Sequence, residues 1–148
     1  MCKGIEIESA IERELVLHGT VGFRITGNSM LPLFLNQRDA VFLEKAVPEE
    51  IKKYDIVLYK ASDKYILHRV VGKKDSILIL RGDNTYIDEQ LNIEDVLAIV
   101  KLYTRRGKSH SVKDFGFWFY SRFWTLIYPF RKFIRKVRIK LSRIRKTN

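Results

Sequence analysis

The chain has 148 residues, of which 46% are hydrophobic, and carries a formal net charge of +11. This length fits one compact domain with an appendage, and the apolar content is ordinary for a globular protein. A single cysteine, Cys2, excludes an intrachain disulfide. Neither paired cysteines, a His-x-x-x-His spacing nor a glycine-rich phosphate loop occurs, so the sequence indicates no metal or nucleotide cofactor.

The charge is divided unevenly along the chain. Residues 1–100 hold 13 lysines and arginines against 16 acidic residues, whereas residues 101–148 hold 15 against Asp114 alone. The basic character therefore belongs to the carboxy-terminal part, which suggests that this part contacts something anionic. Glutamates interrupt the first apolar run, so no signal sequence or membrane anchor is expected at the amino terminus.

A helix is predicted for residues 5–18, because Ile7, Ala10, Ile11 and Leu15 form an apolar stripe that stops before Gly19. Short strand-like segments separated by turn signals follow. Many short strands with little helix between them predict a closed or folded-over antiparallel sheet. The six segments are residues 21–26, 40–45, 55–60, 65–72, 76–81 and 96–103.

The carboxy-terminal part combines aromatic and basic residues. Residues 115–130 are dense in aromatics, but Gly116, Arg122 and Pro129 interrupt them, and a spanning helix needs about 20 mostly apolar residues. Basic residues then alternate with a set of apolar residues at helical spacing. That set is Phe133, Ile134, Val137, Leu141 and Ile144.

We expect the segment from Phe115 to Lys146 to lie in an anionic membrane interface, which would make the protein peripherally membrane-associated. Two alternatives stay open. The aromatic part could pack on the core and leave a solvated basic end. Alternatively, the basic residues could bind a nucleic-acid backbone while the aromatic residues stack on bases. Nucleic acid is the less favoured partner, because the apolar stripe is continuous.

Ser29 lies where a strand-like segment gives way to a turn. Gly27 and Asn28 tolerate positive φ, and Pro32 disfavours helix just beyond. A serine at such a junction can be exposed beside free backbone N–H groups that stabilise an oxyanion, but its hydroxyl needs a base. His68 is the candidate base. Each residue alone also has a simpler interpretation, as a turn former and as a packed strand histidine.

Several boxes in this chain resemble those of signal peptidase I. Gly27-Asn28-Ser29-Met30-Leu31-Pro32 resembles the serine box, residues 39–43 and 55–59 resemble the two following strands, and residues 66–72 resemble the box that carries the general base. Gly82-Asp83-Asn84 resembles the Gly-Asp-Asn box. The boxes occur in the family's order over about residues 20–100. A histidine base marks the endoplasmic-reticulum and archaeal type, whereas bacterial enzymes and the related LexA-type self-cleaving repressors use lysine.

The resemblance implies a mainly β, barrel-like catalytic core and a serine endopeptidase that needs no cofactor and acts on a peptide or protein substrate. Ser29 would be the nucleophile, His68 its base, and Asp83 the carboxylate that orients His68. Asp88 is a second acid for a supporting role, although its spacing is one residue short of the family's. Three residues beside the nucleophile would contact the substrate: Gly27, Asn28 and Met30.

The chain also departs from the family. Tyr54 and Leu33 replace a common glycine and threonine, and the family's amino-terminal anchor is not expected here. We therefore expect a specialised relative with a dedicated substrate, made of a helix at 1–19, a catalytic core at 20–104 and an aromatic and basic tail at 105–148. Two other functions stay open. One is a non-catalytic binding module that docks through the tail. The other is a self-cleaving repressor. Against it, only about twenty residues precede the core, which is too few for a helix-turn-helix unit.

Overall fold

The structure, a computed structural model, describes residues 3–145 and, within its first and last helices, the side chains of residues 10–142. Within this range the chain forms three α-helices, eight β-strands and two single-turn helices. In chain order these are α1 (Lys3–His18), β1 (Thr20–Arg24), β2 (Ala40–Lys45), a turn at Pro48–Glu50, β3 (Ile56–Ala61), β4 (Lys64–Lys74), β5 (Ile77–Arg81), β6 (Glu89–Asn92), a turn at Ile93–Asp95, β7 (Val96–Arg105), β8 (Lys108–Ser111), α2 (Phe115–Leu126) and α3 (Tyr128–Arg145).

All strand pairs in the sheet are antiparallel. The strands follow the order β1-β2-β7-β3-β4-β5-β6, and β8 pairs with β7 beside this path. The predicted antiparallel, mainly β core is confirmed, and each of the six predicted segments coincides with a strand. Strands β6 and β8 were not predicted, because they are four residues long and poor in the β-branched and aromatic residues that favour strands.

Strand β3 lies at the centre of the core and is buried on both sides. Ile56 and Leu58 belong to one apolar cluster, and Val57 and Tyr59 belong to a second one. Since neighbouring residues of a strand point to opposite faces, the sheet must fold so that both faces of β3 are covered. This arrangement buries the side of β4 that carries His68.

The predicted amino-terminal helix is confirmed as α1. Ile11 and Leu15 are buried in the first apolar cluster, and the Gly19 N–H bonds to the carbonyl of Leu15 with a positive φ at the glycine. On an adjacent side, the Glu12 carboxylate accepts a hydrogen bond from the hydroxyl of Tyr65 at 2.5 Å. The side chain of Ile7 and the whole of Cys2 lie outside the described part of the chain.

The core extends beyond residue 104, where the expected tail would begin. Strand β8 pairs with β7, and α2 buries Phe117 and Ser121 against the core, with the Phe117 ring 5.9 Å from that of Tyr103. Helix α3 then leaves the core, and residues 132–142 are all exposed. No helix within residues 3–145 is long and apolar enough to cross a membrane.

Candidate active site

The turn that carries Ser29 follows β1 and is fastened to a second loop. Gly27 has a φ of 91° and donates its N–H to the side chain of Asn36 at 3.2 Å. The backbone N–H of Asn84 bonds to the Ser29 carbonyl at 2.8 Å, and its side-chain amide bonds to the Asn28 carbonyl at 3.2 Å. The loop at residues 82–84 therefore holds the backbone of the predicted nucleophile in place.

Ser29 is half-buried and lines a cleft of about 130 Å³. Met30 is only 3% exposed, so it fills the core and also forms part of the cleft wall. The cleft is small, and polar and apolar atoms contribute about equally to its surface, so it suits one small side chain of a bound peptide. Its lining residues come from the Ser29 turn and strands β1, β3 and β4: Phe23, Ile25, Thr26, Gly27, Ser29, Met30, Leu58, Tyr65, Ile66 and Leu67.

Gly82 lies where Ser29 and His68 meet. A β-carbon at this position would lie 2.7 Å from the carbonyl oxygen of Ser29 and 2.9 Å from Nε2 of His68. The Ser29 carbonyl and the His68 imidazole therefore both lie against Gly82, and the space between them admits no side chain at this position. Among the described residues, the Ser29 hydroxyl forms no hydrogen bond, as is common in peptidases without substrate, where the nucleophile–base contact is often loose.

His68 is connected to a carboxylate through the hydroxyl of Tyr59, as suits a general base. It pairs with Val57 in the β3–β4 hairpin, so Tyr59, two residues along β3, lies diagonally beside it on the same face. His68 Nδ1 is 3.0 Å from the Tyr59 hydroxyl, which donates its proton to the Glu89 carboxylate. Since that proton is already donated to Glu89, the hydroxyl accepts from Nδ1–H, and the lone pair of His68 lies on Nε2.

Glu89 reaches this point through the sheet register. It pairs with Leu80 of β5, and Leu80 pairs with Val70 of β4, which shares a face with His68. The Glu89 carboxylate lies 3.6 Å from Nδ1 and is 42% exposed, whereas the His68 side chain is 6% exposed. The result is a His68–Tyr59–Glu89 chain that runs from the buried imidazole towards solvent.

Burial sets the charge state of this chain of groups. Burial of the imidazole lowers the pKa of His68, although Glu89 and Asp83 act in the opposite direction. Burial and the neighbouring Glu89 carboxylate also raise the pKa of Tyr59 far above its ordinary value, so its phenol stays protonated. At neutral pH His68 is therefore uncharged and able to accept a proton.

Asp83 does not have the expected role. Its carboxylate forms a two-pronged ion pair with Arg69, with both N–O distances 2.8 Å, and accepts a hydrogen bond from Tyr120 at 3.0 Å. Arg69 and Asp83 are 1% and 5% exposed. The prediction that Asp83 orients His68 is wrong in this structure, because Arg69 follows His68 on the strand and draws Asp83 to the opposite face. Arg69 therefore has a structural role, as the buried partner of Asp83.

Asp88 is also occupied elsewhere. Its carboxylate pairs with Arg81 at 2.5 and 2.7 Å near the surface. This ion pair lowers the pKa of Asp88. The acid that contacts the His68 network is the next residue, Glu89, so the supporting role expected for Asp88 does not fit the geometry.

Tyr59 and Glu89 are site residues that were not predicted. A signal for Tyr59 was present, because the two turn residues Ser62-Asp63 fix the hairpin register and hence pair Val57 with His68. Glu89 gave no comparable signal, since it lies on the unrecognised strand β6.

The fold and the site together define a β protein of the superfamily that contains signal peptidase I and the LexA-type repressors. The model of the Peptidase S24-like family matches residues 4–103, and the chain belongs to that family. The matched part carries Ser29, His68, Tyr59 and Glu89. A comparison with curated proteins found no match.

Proposed function

We propose that this chain is a serine endopeptidase of the signal peptidase I type, with Ser29 as nucleophile and His68 as general base. The observation that carries the proposal is the contact point at Gly82, where the Ser29 backbone and the lone-pair nitrogen of His68 lie side by side. Membership of the Peptidase S24-like family supports serine peptidase chemistry in general. The histidine base is the feature that resembles the endoplasmic-reticulum and archaeal type.

The geometry supports a sequence of proton transfers. Ser29 Oγ attacks the peptide carbonyl while His68 Nε2 takes the hydroxyl proton, and His68 then protonates the leaving amine. A water molecule, activated by the same nitrogen, hydrolyses the acyl-enzyme. Tyr59 keeps the proton on Nδ1, and Glu89 stabilises the imidazolium formed after each transfer.

Backbone N–H groups near the nucleophile are candidates for the oxyanion hole. The amides of Ser29 and Met30 donate no hydrogen bond to any residue in the described part of the chain. Such donors, held by the fastened turn, stabilise the negative oxygen that develops in the transition state.

The substrate is proposed to bind as an extended peptide along β4. Strand β5 pairs with β4 only from Arg69 onward, so the first half of β4 borders the cleft with an edge that β5 does not cover. A peptide added at this edge gains main-chain hydrogen bonds and places one side chain into the cleft beside Ser29. The small size of the cleft favours a dedicated substrate with a small residue at that position.

Purified wild type, Ser29→Ala and His68→Ala tested on a peptide library would examine this proposal. The wild type is expected to cleave peptides, and each variant is expected to lose cleavage while unfolding at a similar temperature. Persistent cleavage by both variants would overturn the dyad. Absence of cleavage by wild type and variants alike would favour the binding-module alternative.

Self-cleavage is the second candidate function, because the family is shared with LexA-type repressors. It is tested by incubating the purified chain alone at rising pH and measuring its intact mass. We expect the mass to stay constant. A shortened wild-type product that Ser29→Ala does not form would establish self-cleavage by the same serine.

A further inference from the structure

Helix α2 has one face fixed on the core and one face that no described part of the chain covers. Phe117 and Ser121 are buried, whereas Phe115, Phe119 and Phe123 are 74%, 53% and 47% exposed. The three exposed rings follow one another at four-residue spacing and stack with centroids 6.3 and 5.8 Å apart. Contiguous exposed aromatics of this kind mark an interaction surface.

Helix α3 continues the apolar surface away from the core. A single stripe results from the three- and four-residue spacing of five residues that are 40–65% exposed. Residues 132–142 are exposed on every side, so the described part of the chain provides no partner for this stripe. The stripe consists of Phe130, Phe133, Ile134, Val137 and Leu141.

The charge around the stripe is positive. Lys136 and Lys140 lie along one side of the stripe, and Arg138 lies along its other side. In the described part of α3, no basic side chain forms a salt bridge. An apolar stripe between unpaired cations matches the boundary between acyl chains and anionic head groups.

We propose that the exposed α2 rings and the α3 stripe form a docking surface for an anionic lipid bilayer, with α3 lying in the interface plane. Lipid fits better than nucleic acid because Ile134, Val137 and Leu141 are aliphatic, and nucleic acid would use aromatic rings on which bases stack. The inference does not depend on peptidase activity.

Docking would also act on the part of the fold that carries the site. Trp124 and Arg131 both donate hydrogen bonds to the Asp83 carbonyl, at 2.9 and 2.8 Å. Asp83 belongs to the loop whose Asn84 holds the Ser29 carbonyl. The two helices that carry the docking surface are therefore joined to the turn that carries Ser29 through one short loop.

Flotation of the full chain with vesicles tests the proposal. We expect strong binding to phosphatidylcholine mixed with phosphatidylserine and weak binding to phosphatidylcholine alone, with the difference shrinking as salt is added. Ile134→Ser should weaken binding about tenfold, since burying an isoleucine supplies that much affinity. The matched control is Ile139→Ser. Ile139 is 43% exposed against 41% for Ile134, but it lies on the other side of the helix, so binding should be unchanged.

A second variant does not depend on the stripe. Replacing Lys136 and Lys140 with glutamine should weaken binding to mixed vesicles by about fivefold for each lysine and leave the weak binding to neutral vesicles unchanged. Equal binding by wild type, Ile134→Ser and the lysine variant would overturn the proposal. Binding of a single-stranded oligonucleotide at a salt concentration where vesicles are not bound would overturn it in favour of nucleic acid.

Discussion

His68 and Arg69 are neighbours in the sequence, but their side chains belong to separate networks on opposite faces of β4. His68 contacts Tyr59, which donates to Glu89, whereas Arg69 pairs with Asp83. The first network holds the proposed general base, and the second one joins the sheet to α2 through Tyr120 and Ser121. Replacing Glu89 is therefore predicted to affect mainly activity, and replacing Asp83 is predicted to affect mainly stability.

Replacement of Glu89 by glutamine is predicted to reduce kcat by roughly tenfold to a hundredfold, because the imidazolium then lacks its carboxylate. Glu89 raises the pKa of His68, so its removal lowers that pKa further. We expect the acid limb of kcat/KM for the wild type to lie below 6.5, because burial lowers the pKa of His68, and we expect the variant's acid limb at still lower pH. A pH profile of both proteins measures this shift. An acid limb that stays in place would contradict the role of Glu89.

Replacement of Tyr59 by phenylalanine is predicted to remove the preference of His68 for the tautomer protonated at Nδ1. The Nδ1–H would lose its acceptor in a buried site, which costs about 1–3 kcal/mol of stability. Nitrogen NMR of the histidines should show His68 protonated at Nδ1 in the wild type and a mixture of tautomers in the variant. A wild-type His68 protonated at Nε2 would contradict the proposed direction of the network.

Replacement of Asp83 by asparagine is predicted to lower the free energy of unfolding by about 3–5 kcal/mol, because it leaves the buried charge of Arg69 without its partner. Asp88→Asn is the matched control. It breaks an ion pair near the surface whose carboxylate is 43% exposed, and it should change stability by less than about 1 kcal/mol. Urea unfolding measures both. Equal effects would show that Asp83 is not the structural acid described above.

Replacement of Gly82 by alanine is predicted to reduce activity by about a hundredfold, because the new methyl group would push apart Ser29 and His68. Three atoms lie within 3.0 Å of its β-carbon position, and one of them is backbone. Gly116→Ala in α2 is the control, since no atom lies within 4 Å of its β-carbon position. That variant should keep full activity when tested on the same peptide.

Much of the fold could be predicted from the sequence because alternation of apolar residues marks buried strands directly. Segments such as residues 40–45 were found with their observed bounds, whereas β6 has only Leu91 as an apolar residue and gave no such pattern. Local patterns identify strands that carry their own hydrophobic face, but they miss short edge strands that depend on a neighbour for pairing.

The site was predictable only in part for the same reason. The turn chemistry around Gly27 singled out Ser29, and the box of residues 66–72 singled out His68. The partner of His68 depends on which strands adjoin β4 and in which register, which is a property of the whole sheet. Asp83 was chosen because it belongs to the Gly-Asp-Asn box that resembles the one in signal peptidase I. In the structure its carboxylate instead forms an ion pair with the buried Arg69.

The proposed activity depends on Ser29 as the nucleophile of a peptidase. The most direct test compares protein amino termini in cells that contain the wild type with those in cells that contain Ser29→Ala at the same level. We predict one or a few new termini that are present with the wild type and missing with the variant, each preceded by a small residue in the substrate. Identical termini in the two samples, with both proteins folded, would contradict it.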